Sequence, residues 1–320
     1  MNALILFSLS NYLDPYVMSA NIFYSAKPPS VYILDETKCY FVQYVCIMGE
    51  SEGFQKFFEC WLVEQKRDLE QLISAVKTHR QDGRSNTNQG GEDNHNHNQL
   101  RPLIQRVINH YEHYYKVKSR YGKRDVIAML TPSWRSKIED AFMWIGGWRP
   151  SMAFHLLYSK SGLQLEPRLS ELLSGLKTGD LGDLSPDQLN RIDELQRKTI
   201  REEKELDEKH AQVQESVADA SMVELSHMVT ELTRAGDETM EEHGLQDERV
   251  ASALAPKEKA MVDILQKADD LRLSTLKEVV NILNLIQAAH FLTAAAELHL
   301  RFHEWGMKRD AAAAAVHHHA

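Results

Sequence analysis

The chain has 320 residues, with 37 Lys and Arg against 46 Asp and Glu, a formal charge of -9. That balance argues against tight, sequence-blind binding to DNA phosphates, which needs clustered Lys and Arg. Hydrophobic residues make up 43%, enough for a sizeable core, and no run approaches a membrane-spanning length. The three cysteines, Cys39, Cys46 and Cys60, are too few and too local for a disulfide framework, so the compartment reads as reducing.

Residues 1–47 differ in character from the rest of the chain. Ala3 to Leu9 is apolar, but no positive charge precedes it, which argues against a secretory signal. Val31 to Met48 is β-branched and aromatic, a strand-like composition with no partner strands in view. The simplest account is a poorly ordered extension upstream of a natural start at Met48.

The apolar spacing predicts a first helix from about Glu52 to Lys77. Its stripe is Phe54, Phe57, Phe58, Trp61, Leu62, Leu69, Leu72, Ile73 and Val76. Glu64, Lys66, Arg67, Asp68 and Glu70 lie mostly off it and read as a solvated face. Residues 81–99 are rich in Gly, Asn and Asp and read as a disordered linker. His95 and His97 within it lack further ligands at zinc spacing.

A second helix is predicted over about Leu100 to Arg120. It interleaves Tyr111, Tyr114 and Tyr115 with Lys116, Lys118 and Arg120. That pattern fits a nucleic-acid stacking surface, or more simply core tyrosines with snorkelling cations. Thr131 and Pro132 are read as the cap of the next helix.

Two short helical patterns, near 133–145 and 150–159, then meet at Gly146 and Gly147. In the first, Trp134, Ile138, Ala141, Phe142 and Ile145 are spaced to share one face. The glycines supply the backbone freedom of a helix stop, and Pro150 suits the first turn of the next helix. Trp134, Trp144 and Trp148 crowd this hairpin, where aromatics of that size dominate the energetics.

Leu165 to Leu176 reads as one more short helix, and Gly175 to Asp187 as a loop with neither phosphate-loop nor EF-hand spacing. Ser185, Pro186 and Gln188 make a capping box for a long helix over 186–234. Glu224 and His227 form a single Glu-x-x-His pair, where a di-iron bundle needs two pairs and two further glutamates. Residues 236–256 read as an acidic loop. Two more helices are predicted over 257–283 and 285–305, with Asn284 and Gln287 at capping-box spacing between them, Gly306 as the stop and a disordered tail over 311–320.

The stretch Trp144-Ile-Gly-Gly-Trp-Arg-Pro-Ser151 resembles the signature of the plant delay-of-germination (seed dormancy) domain, which also forms the C-terminal part of TGA bZIP transcription factors. Phe54 to Leu72, Ala268 to Leu283 and Glu297 to Gly306 share the resemblance, which runs from about Gly49 to Asp310. It marks Trp144, Gly146, Gly147, Trp148, Arg149 and Pro150 as an interaction or structural signature. Where similar members tend to have Thr-Pro, this chain has Asn284-Leu285.

The fold is read as all-α: a multi-helix bundle with one long helix, over 48–310. The chain has no nucleophile with a recognisable base, no zinc-type cluster and no dinucleotide fingerprint, so it is not read as an enzyme. It lacks the basic region and zipper of the TGA factors. The resemblance therefore implies a stand-alone regulator of abscisic-acid signalling and transcription, acting in the nucleus, with the cytoplasm also open to it, through protein partners such as type 2C protein phosphatases. A homo-oligomer is compatible with it. Direct DNA reading is the runner-up, and a haem sensor the third class.

His299 and His303 stand four apart on the last helix, so both rings project from one face. Imidazole is a common ligand of iron, although two such histidines more simply pack or solvate. The pattern His-Leu-x-x-His-Glu-Trp-Gly is similar to that of dormancy-type members, which implies haem association at this helix. Rings on adjacent turns cannot easily take opposite axial positions of one haem. One would ligate and the other tune it, or a second chain would share the ligand.

Overall fold

The computed structural model describes residues 50–85, 93–165, 181–235 and 240–317, and apart from one isolated β-bridge their regular structure is helical. The expectations for residues 1–47, the 86–92 part of the linker and most of Leu165–Leu176 lie outside the described residues. In chain order the helices are α1 Glu50–Ser85, α2 Asp93–Gly122, α3 Val126–Leu130, α4 Lys137–Phe142 and α5 Met152–Leu165. They continue as α6 Pro186–Glu215, α7 Ala220–Ala235, α8 Met240–Ile282 and α9 Leu285–His317.

α1 and α2 pair antiparallel, because the apolar stripe of α1 meets the tyrosine face of α2. Phe54 reaches Tyr121 at 5.4 Å between ring centroids, and Trp61 reaches Tyr114 at 4.8 Å. One turn further on, Gln65 Nε2 donates to the Tyr111 hydroxyl at 2.9 Å. The tyrosines are thus core residues. Asp68, read as solvated, is only 8% exposed; His110 Nδ1 lies 3.2 Å from it and Arg106 Nη2 2.9 Å.

α6 and α8 form the other long antiparallel pair. Thr199 faces Thr275 at 3.4 Å, and Lys198 Nζ lies 3.4 Å from Glu278. α9 crosses α1, with His299 Nδ1 2.8 Å from Gln65 Oε1. A second core, holding Leu72, Ile104, Phe154, Ile192, Val279 and Phe291, joins α1, α2, α5, α6, α8 and α9.

Both expected capping boxes form. Ser185 caps α6 reciprocally with Gln188. Asn284 Oδ1 accepts from the Gln287 amide at 2.9 Å while Gln287 Oε1 accepts from the Asn284 amide at 3.0 Å. Gln188 Nε2 then donates to Gln287 Oε1 at 2.7 Å, which ties the start of α6 to the start of α9.

Several boundaries differ from the sequence reading. The long helix breaks at Ser216–Ala218, a tighter 3-10 turn, and Asp219 restarts it as α7 by accepting from the Met222 amide at 3.0 Å. Lys257 Nζ holds the break through the Ser216 carbonyl at 2.7 Å and Asp219 Oδ2 at 2.6 Å. The acidic loop over 236–256 is helical from Met240 onward and continues through Pro256, because its Glu, Ala and Leu residues are strong helix formers. The cap of α4 is Ser136, paired with Glu139, rather than Thr131 and Pro132; Thr131 instead closes α3.

Gly306 does not stop α9, which runs through the alanine-rich tail to His317, alanine being the best helix former. Glycine is needed there for close approach. A Cβ on Gly306 would overlap Ser136 Oγ and lie 2.8 Å from Ile138 Cγ2. Gly162 in α5 has no such neighbour within 4 Å. Gly162→Ala should therefore stabilise by up to about 1 kcal/mol through helix propensity. Gly306→Ala should destabilise by about 1–3 kcal/mol through overpacking. Urea denaturation of both variants checks this; a Gly306→Ala protein at least as stable as wild type would contradict the packing argument.

Candidate functional site

The signature stretch is a tight two-residue turn rather than a helix stop. α4 ends at Phe142, and Trp144 and Gly147 exchange backbone hydrogen bonds of 2.7 and 3.1 Å. Ile145 and Gly146 between them have φ of 44° and 66°, the pattern of a type I′ turn. A β-branched residue at positive φ is strained, so something else must hold Ile145 there. The face expected from Trp134 to Ile145 accordingly does not form: Phe142 is 51% exposed, while Ile145 is buried in the turn.

Three cations hold it. Arg272 of α8 donates to the Trp144 carbonyl, to the Ile145 carbonyl at 2.9 Å and to the Trp148 carbonyl at 2.6 Å. Lys118 Nζ and Arg135 Nη2 each donate to the Gly146 carbonyl at 2.8 Å. Asp269 answers them, 2.9 Å from Lys118 Nζ and 2.5 Å from Arg272 Nη1. Lys118, Asp269 and Arg272 are 1%, 2% and 6% exposed, so the cluster sits in the interior. Burial pushes the Lys118 ammonium below its ordinary range; Asp269 opposes that, and Arg272 and Arg135 add to it. Gly147 has to be glycine, because a Cβ there would lie 2.7 Å from the Arg272 guanidinium carbon.

The rest of the signature is tied to α6. Trp144 Nε1 donates to Asp207 Oδ1 at 2.5 Å, and Arg149 reaches Asp207 Oδ2 at 2.9 Å and Glu203 Oε2 at 3.2 Å. Arg149 also lies over the Trp144 ring, 5.1 Å from its centroid. The Ser151 amide donates to Glu203 Oε1 at 2.6 Å. Pro150 sits in the turn just before α5, its carbonyl accepting from the Ala153 amide at 3.0 Å. Trp148 points the other way, towards α9, 5.5 Å from the Phe302 ring.

His299 and His303 do share one face of α9, and both rings pack edge-on against Phe58 at 6.5 and 5.8 Å. Their polar partners differ. His299 Nδ1 meets Gln65, while His303 Nδ1 lies 2.9 Å from Glu139 Oε2. Burial lowers the His299 pKa from about 6.5 to about 4, so its ring is neutral. Burial alone would raise the Glu139 carboxyl; hydrogen bonds from His303 and Ser136 outweigh it and bring the pKa down to about 2. With each Nδ1 engaged, Nε2 is the ring nitrogen left for a metal, the arrangement that orients a ligating imidazole. His299 lines a cavity of about 180 Å³, smaller than the ~300 Å³ lower end of ordinary ligand pockets. His303 is not among its lining residues. As packed, these residues do not enclose a macrocycle.

The residues missed in the sequence are Lys118, Arg135, Glu139, Glu203, Asp207, Asp269 and Arg272. One signal was available for Lys118, which falls on the inward face with Tyr114, Val117 and Tyr121. Glu224 and His227 are both exposed on α7, and His95 and His97 carry no described side chains. Among the described residues no group of three or more His, Cys, Asp or Glu could hold a metal ion. No helix among them is long and apolar enough to cross a membrane.

A family model described as DOG1, seed dormancy control, matches residues 68–159. Protein DOG1-like 3 of Arabidopsis thaliana is 30% identical over 257 residues, spanning 78% of this chain and 82% of that protein. Protein DOG1-like 1 of the same plant is also 30% identical, over 80% of this chain and 89% of that protein. Transcription factor TGA2 of Arabidopsis thaliana is 27% identical over 73% of this chain, but the match covers only 57% of that protein.

The neutral state of His299 makes stability pH-dependent. Its folded pKa of about 4 lies below the ordinary 6.5, so on acidification the unfolded chain takes up the proton first. The stability it contributes is complete above pH 6.5 and is lost as pH falls from there through 4, on the order of 3 kcal/mol. His299→Gln should therefore lose less melting temperature than wild type between pH 6.5 and 4.5, as thermal melts will show. Equal losses in the two proteins would contradict a neutral, partly buried ring.

Proposed function

The chain belongs to the DOG1-like seed-dormancy-control family, and from that premise we propose that it is a non-enzymatic regulator acting through protein partners in abscisic-acid-linked dormancy control. The family match carries the reading. The site geometry is consistent with it, since the signature's carbonyls are held by Arg272, Lys118 and Arg135 and its Trp144 and Arg149 side chains by Asp207 and Glu203. The partial match to transcription factors such as TGA2 supports a transcription-linked role in the nucleus. The partner class is type 2C protein phosphatases. An apolar stripe suits a partner: Phe142, Leu298 and Trp305 are 51%, 41% and 57% exposed, around Phe302.

Affinity purification of the full chain from maturing seed tissue, followed by mass spectrometry, tests this. Type 2C phosphatases should be recovered with wild type and depleted with Trp305→Ala, at unchanged thermal stability. Recovery of none, with nanomolar sequence-specific DNA binding at physiological salt, would instead support the TGA-like reading.

Haem association at His299 and His303 is the second reading. Its support is the pair of imidazoles whose Nδ1 atoms are held by Gln65 and Glu139. Given the size of the cavity, this reading entails parting of α9 from the turn at Trp144–Arg149. Titration of haem into the full chain, followed by its Soret band, should show binding that is lost in the His299→Ala/His303→Ala protein. Undiminished affinity in that double variant would rule the site out.

A further inference from the structure

The cavity beside the signature turn has a composition that regulation through protein partners leaves unused. Its walls are largely apolar, drawn from Phe58, Trp61, Trp148, Leu156, Leu276 and Phe291. Its volume, about 180 Å³, slightly exceeds that of an engineered apolar cavity of about 150 Å³ that takes up benzene. The space is therefore that of a single ring with a small substituent.

One end is polar and short of negative charge. Arg135 lines the cavity, and its Nη2 donates to the Gly146 carbonyl. Its Nη1 is buried and has no partner in hydrogen-bonding geometry, and the Tyr114 hydroxyl beside the guanidinium feels its charge. Buried donors without acceptors are rare, and a charged one is the most costly kind. The buried neighbouring acids are engaged elsewhere, and Asp140, which feels the Arg135 charge, is exposed to solvent. Asp269 faces both Lys118 and Arg272, Glu139 is held by Ser136 and His303, and Glu203 and Asp207 are bound to Arg149. His299, the other ionisable group here, is neutral. Three cations therefore hold the turn, Lys118 and Arg135 on the Gly146 carbonyl and Arg272 on its neighbours, and Asp269, bonded to Lys118 and Arg272, is the one carboxylate paired with them among the described contacts.

We propose that this cavity is a binding site for a small aromatic monocarboxylate, its ring among Phe58, Trp61, Trp148 and Phe291 and its carboxylate on Arg135 Nη1. The carboxylate supplies both the acceptor that Nη1 lacks and the negative charge that the cluster lacks, through a charge-assisted hydrogen bond. A neutral ligand supplies the first without the second. Acetate lacks the ring that the walls would cover.

Isothermal titration of the full chain with benzoate, benzamide and acetate tests the site. Benzoate should bind saturably at one site per chain, with benzamide and acetate at least about tenfold weaker. Arg135→Gln should weaken benzoate at least about tenfold. Ala295→Phe, which fills the cavity from α9, should abolish binding while circular dichroism stays that of wild type. If Arg135→Gln does not fold, Ala295→Phe and the benzamide comparison decide the question. No saturable benzoate binding, equal binding of benzamide, or benzoate binding undiminished in Ala295→Phe would each overturn the proposal.

Discussion

One guanidinium organises the centre of this protein. Arg272 gathers the carbonyls of Trp144, Ile145 and Trp148 and pairs with Asp269. A two-residue turn with a β-branched residue at positive φ does not hold itself, and its carbonyls point into an interior where unpaired acceptors are costly. A planar fork of donors can meet several carbonyls at once, which an ammonium on a flexible stem does less well. The fork also explains Gly147, whose missing Cβ makes room for it. Much of the signature is in this sense the complement of a residue more than 120 positions away.

Once the turn is held, the elements around it fall into place. Arg149 and Trp144 fasten it to α6 through Glu203 and Asp207, and Lys118 fastens it to α2. The turn therefore sets the register of α2, α6 and α8 against one another. A buried ion cluster is weak evidence for stability, because desolvation offsets much of the attraction. Its value here lies in specifying one arrangement of helices whose apolar faces alone permit sliding. Trp148, directed away from the cluster, closes the cavity against α9.

The parts of the fold legible in the sequence are those governed by local chemistry. The capping boxes of Ser185 with Gln188 and Asn284 with Gln287 depend on residues three apart, and both form. The aromatic stripe of α1 was legible for the same reason, since helical spacing determines which side chains share a face. Gly306 misled because glycine usually ends a helix, whereas here it admits Ser136, a residue 170 positions earlier in the chain. Ile145 misled because its backbone conformation is imposed by distant cations. Lys118 carried an inward position in its pattern, yet a lysine ordinarily snorkels, and Asp269 lies 151 residues away. Of the candidate site, the signature stretch and the two histidines of α9 were legible by resemblance, while the charges that hold the turn were not.

The claim that Arg272 holds the turn is tested most directly by native-state hydrogen exchange at the Trp144 and Gly147 amides in an Arg272→Lys protein. Lysine keeps the charge beside Asp269 but cannot span the carbonyls. The two amides should exchange about tenfold faster or more through local opening, while those of Trp61 and Tyr114 keep their wild-type protection. Wild-type exchange at Trp144 and Gly147 in that variant would show that the turn stands without the guanidinium, and would contradict the account.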